Sequence, residues 1–256
     1  MEHDDYARRF GGIGRLYGEA ALARFEKARV CVIGVGGVGS WAVEALARSA
    51  IGQLTLIDLD NVCASNVNRQ LHAITPDFGL PKVTALRQRI AAINPRCEVT
   101  EIEDFVTPEN LAELLPAGQF DFIVDAIDQM KTKVALIAHC KAQRIPLITT
   151  GAAGGQIDPT QIRIDDLTRT IQDPLLSKVR AALRKHHGFP RGPKDKFGIE
   201  AVFSTEPLRY PTQSCTPGVA ATGLNCAGFG SGMAVTASFG LFAAGRVLQR
   251  LASGEA

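Results

Sequence analysis

Short apolar runs alternate with amphipathic stretches through the first 150 residues of the chain. ARVCVIG (28–34) is apolar apart from Arg29 and closes on a glycine turn. That is the pattern of a strand buried on both faces of a parallel sheet. Good helix formers follow over 41–50, and then QLTLIDLD (53–60), a second strand ending in acids. Over 81–93 apolar residues recur at helical spacing, with a proline at the start and Asn94-Pro95 at the end, which predicts a helix. EVTEIE (98–103) reads as a third strand and FDFIVDAID (120–128) as a fourth. A helix through KVALIAHCKAQ (133–143) leads to a fifth strand in IPLITTG (145–151). The alternation implies an α/β fold, a mostly parallel sheet flanked by helices and joined by right-handed crossovers.

The pattern changes after Gly151. GAAGGQIDPTQIRIDDL (151–167) reads as loop and hairpin, 174–187 as a helix, and HHGFPRGPKDKFG (186–198) as a Pro/Gly-interrupted loop. From Cys215 the chain is loop-like up to AGFGSGMAVTASFGLFAAG (227–245), which is 19 residues long without a charge. That is barely enough to span a bilayer. Its many Gly, Ala, Ser and Thr residues give it little apolar drive. The expectation is a helix buried in the core or at a subunit interface, with membrane association through 227–245 as the weaker reading.

Composition narrows this picture only a little. Charged residues make up 21% and hydrophobic residues 46% of 256, an ordinary globular mix. A net charge of +2 permits an anionic partner without demanding one. MEHDDYARRF at the start is polar and acidic, unlike a secretory signal. The six cysteines are scattered and form no Cys-x-x-Cys pair. Neither a disulfide framework nor a four-cysteine zinc site is expected, so no zinc, and a reducing, cytoplasmic setting is.

The glycine turn carries the first chemistry. Gly34, Gly36 and Gly39 stand at G-x-G-x-x-G spacing, with Gly37 as a fourth glycine. Such a turn lets the backbone approach a phosphate, and the helix after it offers free N–H groups. Asp58 ends the next strand, where a carboxylate can accept hydrogen bonds from ribose hydroxyls. The fold is therefore expected to be Rossmann-like, with 1–150 as the nucleotide half and 151–256 as a substrate and dimerisation extension of the same domain.

The residues past the second strand decide between NAD and ATP. Asn66, Arg69 and Gln70 lie just beyond its end, and Lys82 starts the next helix. Arg offers phosphate a planar fork and Lys a point charge. Asp128, after the fourth strand, sits where a carboxylate could hold Mg²⁺ against phosphates. A triphosphate needs this set, and a dehydrogenase does not.

G-x-G-G-x-G, then D-x-D (Asp58, Asp60), then SNVNRQ, then Lys82, then DAID resembles the ThiF/MoeB/HesA family, relatives of the ubiquitin-activating enzymes. The resemblance covers roughly 9–151. It implies adenylation of a carboxylate, with Asp58 on the ribose, Asn66, Arg69 and Lys82 on the phosphates, and Asp128 on Mg²⁺. Asp60 and Gln70 belong to the same motifs and are counted with the ATP-binding set.

Other segments, among them RFGGIGRLYG, TTGAAGGQIDPTQI, TIQDPL, VFSTE and NCAGFGSGMAVTASFG, are similar to tRNA-modifying members of that family along nearly the whole chain. This implies ATP-dependent cyclisation of a threonylcarbamoyl group on the adenosine next to the anticodon, with tRNA and not DNA as the nucleic acid. It also implies a homodimer, in which Arg9 or Arg15 reaches the partner's ATP site. The tRNA would land on 178–196, where Lys178, Arg180, Arg184, Lys185, Arg191, Lys194 and Lys196 face the single acid Asp195. In relatives a cysteine carries the acyl group or a persulfide. Cys226 is the candidate for that role here, with Cys215 behind it, against the plainer reading of a small packed residue. His72 is expected to make a structural hydrogen bond. Three alternatives remain: activation of a ubiquitin-like sulfur carrier, with cysteine-desulfurase or sulfur-acceptor partners; an NAD-dependent oxidoreductase; and a non-catalytic nucleotide sensor.

Overall fold

Val30, Cys31, Val32 and Ile33 are all buried, because the strand they form has a layer of helices on each side. In the computed structural model, which describes residues 2–192, 194–210 and 229–254, this strand β1 (Arg29–Ile33) is the middle of a parallel set. It pairs with β2 (Gln53–Ile57) on one edge and β4 (Phe122–Asp125) on the other. β3 (Glu98–Ile102) lies beyond β2, and β5 (Leu147–Thr150) beyond β4. β7 (Glu200–Ser204) extends the sheet in parallel next to β5, and β6 (Ile162–Asp166) closes it in antiparallel fashion. The order is β3-β2-β1-β4-β5-β7-β6. The expected hairpin after Gly151 is therefore corrected. β6 pairs with a strand that returns only after a helix and a long loop, and no local turn joins the two.

Side chains alternate across β1. Val30 and Val32 face a core shared with α2 (Glu19–Phe25), α3 (Gly39–Ala47), α4 (Lys82–Ile93) and α8 (Met233–Ser253). Cys31 and Ile33 face a second core, shared with α5 (Leu111–Leu114), α6 (Met130–Gln143) and α7 (Pro174–His186). The chain leaves β1 for one face and β4 for the other. Such a switch point opens a crevice at the carboxyl ends of the strands.

Two devices set the helices around that crevice. Glu44 on α3 accepts from Arg89 of α4 at 2.7 and 2.9 Å, and Arg48 one turn on reaches the same carboxylate. Arg9, on α1 (Glu2–Tyr17), donates to the carbonyls of Ala92 and Ile93, which α4 leaves unpaired at its C-terminus.

The uncharged stretch before residue 245 forms most of α8. Val235, Phe239, Ala243, Val247 and Leu251 are buried at helical spacing, while Leu241 and Phe242 are exposed. A side chain at Gly240 would collide with the Val38 carbonyl, so glycine is what lets α8 cross α3 backbone to backbone. Among the described residues no helix is long and apolar enough to cross a membrane. Cys215 and Cys226 lie outside the described residues.

Candidate active site

The turn after β1 is shaped by close approach. Gly34 has φ +80, and a Cβ there would stand 2.9 Å from the Ala126 carbonyl oxygen in the loop after β4. Only glycine takes this conformation in this space without strain. Gly39 begins α3 directly over the Gly34 carbonyl, leaving no room for a side chain. It thus serves helix–strand packing, while Gly34, Gly36 and Gly37 line a cavity of about 380 Å³.

Most of the residues singled out from the sequence converge there. Asp58, Asp60, Asn66, Arg69, Gln70, Lys82 and Asp128 all line this cavity. Asp58 accepts from the Val35 amide at 2.8 Å and the Asp60 amide at 2.9 Å, which fixes its carboxylate at the end of β2. Burial raises its pKa, with Lys82 and the two amides opposing. Lys82 is 4% exposed, and its Nζ stands 2.6 Å from Asp60 Oδ2.

Arg69 folds its stem over Gly37 and donates to the Ser65 carbonyl at 2.9 Å. Trp41 on α3 holds the Arg69 carbonyl through its indole N–H at 2.9 Å. Asn66 is buried and accepts from the Cys63 amide. Gln70 is buried at the cavity wall, and its Oε1 has no hydrogen-bond partner among the described residues. Asp128 is exposed at the rim, one residue before the N-cap of α6.

His72 corrects one expectation. Both ring nitrogens are buried and have no hydrogen-bond partner among the described residues. Burial, with Lys82 nearby, pushes its pKa down to about 4, so the ring is neutral near pH 7.

Several lining residues carried no sequence signal. Asp104, Phe105 and Val106, after β3, form one wall, and Phe229 and Ser231 enter from the C-terminal region. Beneath the floor lies a pair that no sequence pattern marks. Lys133 and Asp125 are both 0% exposed and meet at 2.7 Å, and the Thr149 hydroxyl bonds to Asp125 at 2.7 Å. The other oxygen of Asp125 accepts from the Ile127 amide, so the pair holds the loop that presents Asp128. Asp173 does the same on the neighbouring side, accepting from the amides of Ala152 and Leu176.

Other expected site residues lie elsewhere. Lys178, Arg184, Lys185, Arg191, Lys194 and Lys196 follow α7 and its loop away from the cavity, and Arg180 is half-buried on α7. Arg15 is exposed near the end of α1, and Arg9 is engaged with α4. None of the four described cysteines lines the cavity, and burial pushes the Cys140 thiol up to about 12.

The arrangement suits a phosphorylated ligand bound together with a cation. Two cations, Arg69 and Lys82, and the glycine-turn amides can receive phosphate oxygens. The same lining carries four carboxylates: Asp58, Asp60, Asp104 and Asp128. That excess of negative charge disfavours a bare triphosphate and suits one neutralised by Mg²⁺, which is commonly held by one or two carboxylates plus substrate phosphates.

A profile of the ThiF family matches residues 6–252. A tRNA threonylcarbamoyladenosine dehydratase from Haemophilus influenzae is 55% identical over 251 residues, which is 97% of this chain and 95% of that protein. The crystal structure of the Escherichia coli tRNA N6-threonylcarbamoyladenosine dehydratase in complex with ATP is similar with a TM-score of 0.89 and 48% identity, covering 98% of this chain and 97% of that one. The AMP complex of the same protein is equally similar, with a TM-score of 0.89 at 48% identity over 98% of this chain and 97% of that chain. With its glycine turn, paired acids and cations all gathered in one cavity, the chain belongs to the ThiF family.

Proposed function

We propose that this chain is an ATP-dependent enzyme that dehydrates threonylcarbamoyladenosine in tRNA, closing the side chain into a ring through an acyl-adenylate. The observation that carries this reading is the gathering of Asp58, Arg69, Lys82 and Asp128 in one cavity, in a chain similar over 98% of its length to an ATP-bound dehydratase.

A free carboxylate is a poor electrophile. Its oxygen attacks the α-phosphorus of ATP, the bond to the β-phosphate oxygen breaks, and pyrophosphate leaves. The ureido group of the same nucleoside then attacks the acyl carbon. AMP leaves with the bonding pair, and the ureido proton passes to water. The second step is intramolecular, so positioning supplies much of its rate.

In this reading Asp58 holds the ribose, with Asp60 beside it. Asn66, Arg69, Gln70 and Lys82 receive the phosphates over Gly34, Gly36 and Gly37, and Gly39 keeps the turn closed. Mg²⁺, when bound, neutralises phosphate charge and eases pyrophosphate departure, and Asp128 would hold it. Residues 1–150 are the nucleotide half and 151–256 the substrate half. A cytoplasmic setting follows from the substrates.

A second copy of the chain is the expected partner. Arg9 is occupied with α4, which favours Arg15 as the arginine that reaches across. The basic run from Lys178 to Lys196 meets tRNA phosphates, including those near Arg184, Lys185, Arg191 and Lys194. No thiol is required in this scheme, so Cys226 need not act covalently.

The test is mass spectrometry of tRNA nucleosides from a strain lacking this gene, handled mildly so that the cyclic form survives. Loss of the cyclic nucleoside, restored by the wild-type gene and not by Asp128→Ala, is the expected result. Unchanged levels of the cyclic form would overturn the reading.

A further inference from the structure

A second, more open cavity adjoins the one already described. Its walls are Asp173, Ser177 and Arg180 on the side of α7, and Pro207 and Tyr210 opposite. Pro174 and Leu208 belong to the linings of both cavities, so the two meet along a shared wall. An aromatic pair runs the same way. Phe229 lines the nucleotide cavity, Tyr210 lines the groove, and their ring centroids are 5.2 Å apart with the planes tilted by 53°.

The groove has three features that a nucleotide residue could use. Tyr210 is 74% exposed, a large aromatic face left in water. Arg180 is half-buried and donates to the Thr170 hydroxyl, so its guanidinium is held in place where most neighbouring cations extend into solvent. Asp173 caps α7 through the Leu176 amide and ties the helix to Ala152 in the cavity floor, which fixes the groove wall against the nucleotide site.

An acceptor carried on a tRNA cannot share a cavity of about 380 Å³ with ATP, so most of it stays outside while its carboxylate reaches in. Single-stranded RNA bases are recognised by splaying onto aromatic side chains, with cations on the flanking phosphates. From Arg180, α7 carries Arg184 and Lys185 onward, the direction in which the rest of a polyanion would lie.

We propose that this groove is the acceptor subsite. The modified adenosine stacks on Tyr210, a flanking phosphate meets Arg180, and the acyl arm passes between Pro174 and Leu208 into the nucleotide cavity. The assignment rests on the function proposed above, and its test separates the two.

The probe is a fluorescent anticodon stem-loop carrying threonylcarbamoyladenosine. Binding is read by anisotropy, turnover by AMP formation, and ATP affinity by calorimetry, all with the full chain. Ser177 is exposed, so Ser177→Trp fills the groove without disturbing the core. Ser177→Trp and Tyr210→Ala should each weaken stem-loop binding about tenfold or more and raise its KM in step, with ATP affinity and the melting curve unchanged. Tyr210→Phe should restore binding, and Arg180→Lys should outperform Arg180→Met. Wild-type binding and KM in both Ser177→Trp and Tyr210→Ala would overturn the groove while leaving the function standing. A wild-type chain that binds the stem-loop but forms no AMP would overturn the function, while the binding data still decide the groove. Absence of any wild-type binding would overturn both.

Discussion

Lys82 reaches back across the cavity mouth to Asp60, its Nζ 2.6 Å from Oδ2, and stands 3.8 Å from Oδ1 of Asp58. One buried ammonium thus serves two acids from the end of β2. In the scheme proposed above the same ammonium meets phosphate oxygens, so ligand binding redistributes a charge that is already in place.

Replacing that ammonium should be felt first in nucleotide affinity. Lys82→Met keeps the side-chain length, removes the cation and leaves two carboxylates facing an anionic ligand. We expect ATP affinity to fall at least tenfold, about 1.4 kcal/mol, by calorimetry in excess Mg²⁺. NAD binding should be negligible in both proteins. Unaltered ATP affinity would remove Lys82 from the phosphate set.

Asp128→Ala tests the metal assignment. The residue is exposed at the rim, so the fold should survive. Turnover should drop at least tenfold, about 1.4 kcal/mol in the barrier, with a shifted Mg²⁺ dependence. Wild-type turnover across a Mg²⁺ titration would reject the role.

The buried pair under the floor makes a stability prediction. Lys133→Met leaves Asp125 without its cation at a site with no solvent access. Breaking such a pair from one side costs about 3–5 kcal/mol. Urea denaturation should show that loss. The double variant Lys133→Met/Asp125→Leu should recover part of it, since no orphaned charge remains. A single variant within about 0.5 kcal/mol of wild type would contradict the geometry.

His72 gives the chain an acid sensitivity with a defined sign. Its pKa is depressed from 6.5 to about 4 by burial, so the unfolded chain takes up the proton first. Its contribution is fully present above pH 6.5 and is lost as pH falls toward 4. His72→Leu should flatten stability against pH in that window, by up to about 1.4 kcal/mol per pH unit. Parallel curves for variant and wild type would show that the ring does not titrate this way.

Cys226→Ser separates cyclisation from sulfur relay. In the proposed mechanism the second nucleophile belongs to the substrate, so cyclising activity should be retained to within a few-fold. A serine hydroxyl is a far weaker nucleophile than a thiol, so a covalent relay would collapse while adenylation survived. That pattern, read by AMP formation against cyclic product, would defeat the mechanism.

What was legible in the sequence was local. β1, its glycine turn, α3 and Asp58 are contiguous, and each is marked by a conformational requirement or by a strand end. Arg69, Lys82 and Asp128 were legible because they lie on the connections leaving the carboxyl ends of β2 and β4, where a parallel sheet brings loops together. β7 escaped notice because its five residues acquire meaning only through pairing with β5 and β6. Lys133 gave no signal, since a lysine inside an amphipathic helix ordinarily faces water. Only the sheet order puts Asp125 and Thr149 opposite it. The wall after β3 and the tie from Arg9 to α4 are likewise tertiary facts with no pattern of their own.

The Ala126 carbonyl crowds Gly34, the Gly34 carbonyl crowds Gly39, and the Val38 carbonyl crowds Gly240. Four segments thus stack main chain on main chain, with no flexible side chain between them to yield. The end of the cavity that receives the phosphates in the proposed scheme is consequently walled by close-packed main chain. The opposite wall is made of side chains and loops, Phe105 and Val106 on one flank and Leu208 and Phe229 on the other. In the scheme proposed above, nucleotide exchange should therefore respond to substitutions at Phe105, whose side chain lines that flank, more than to small changes around the main-chain wall.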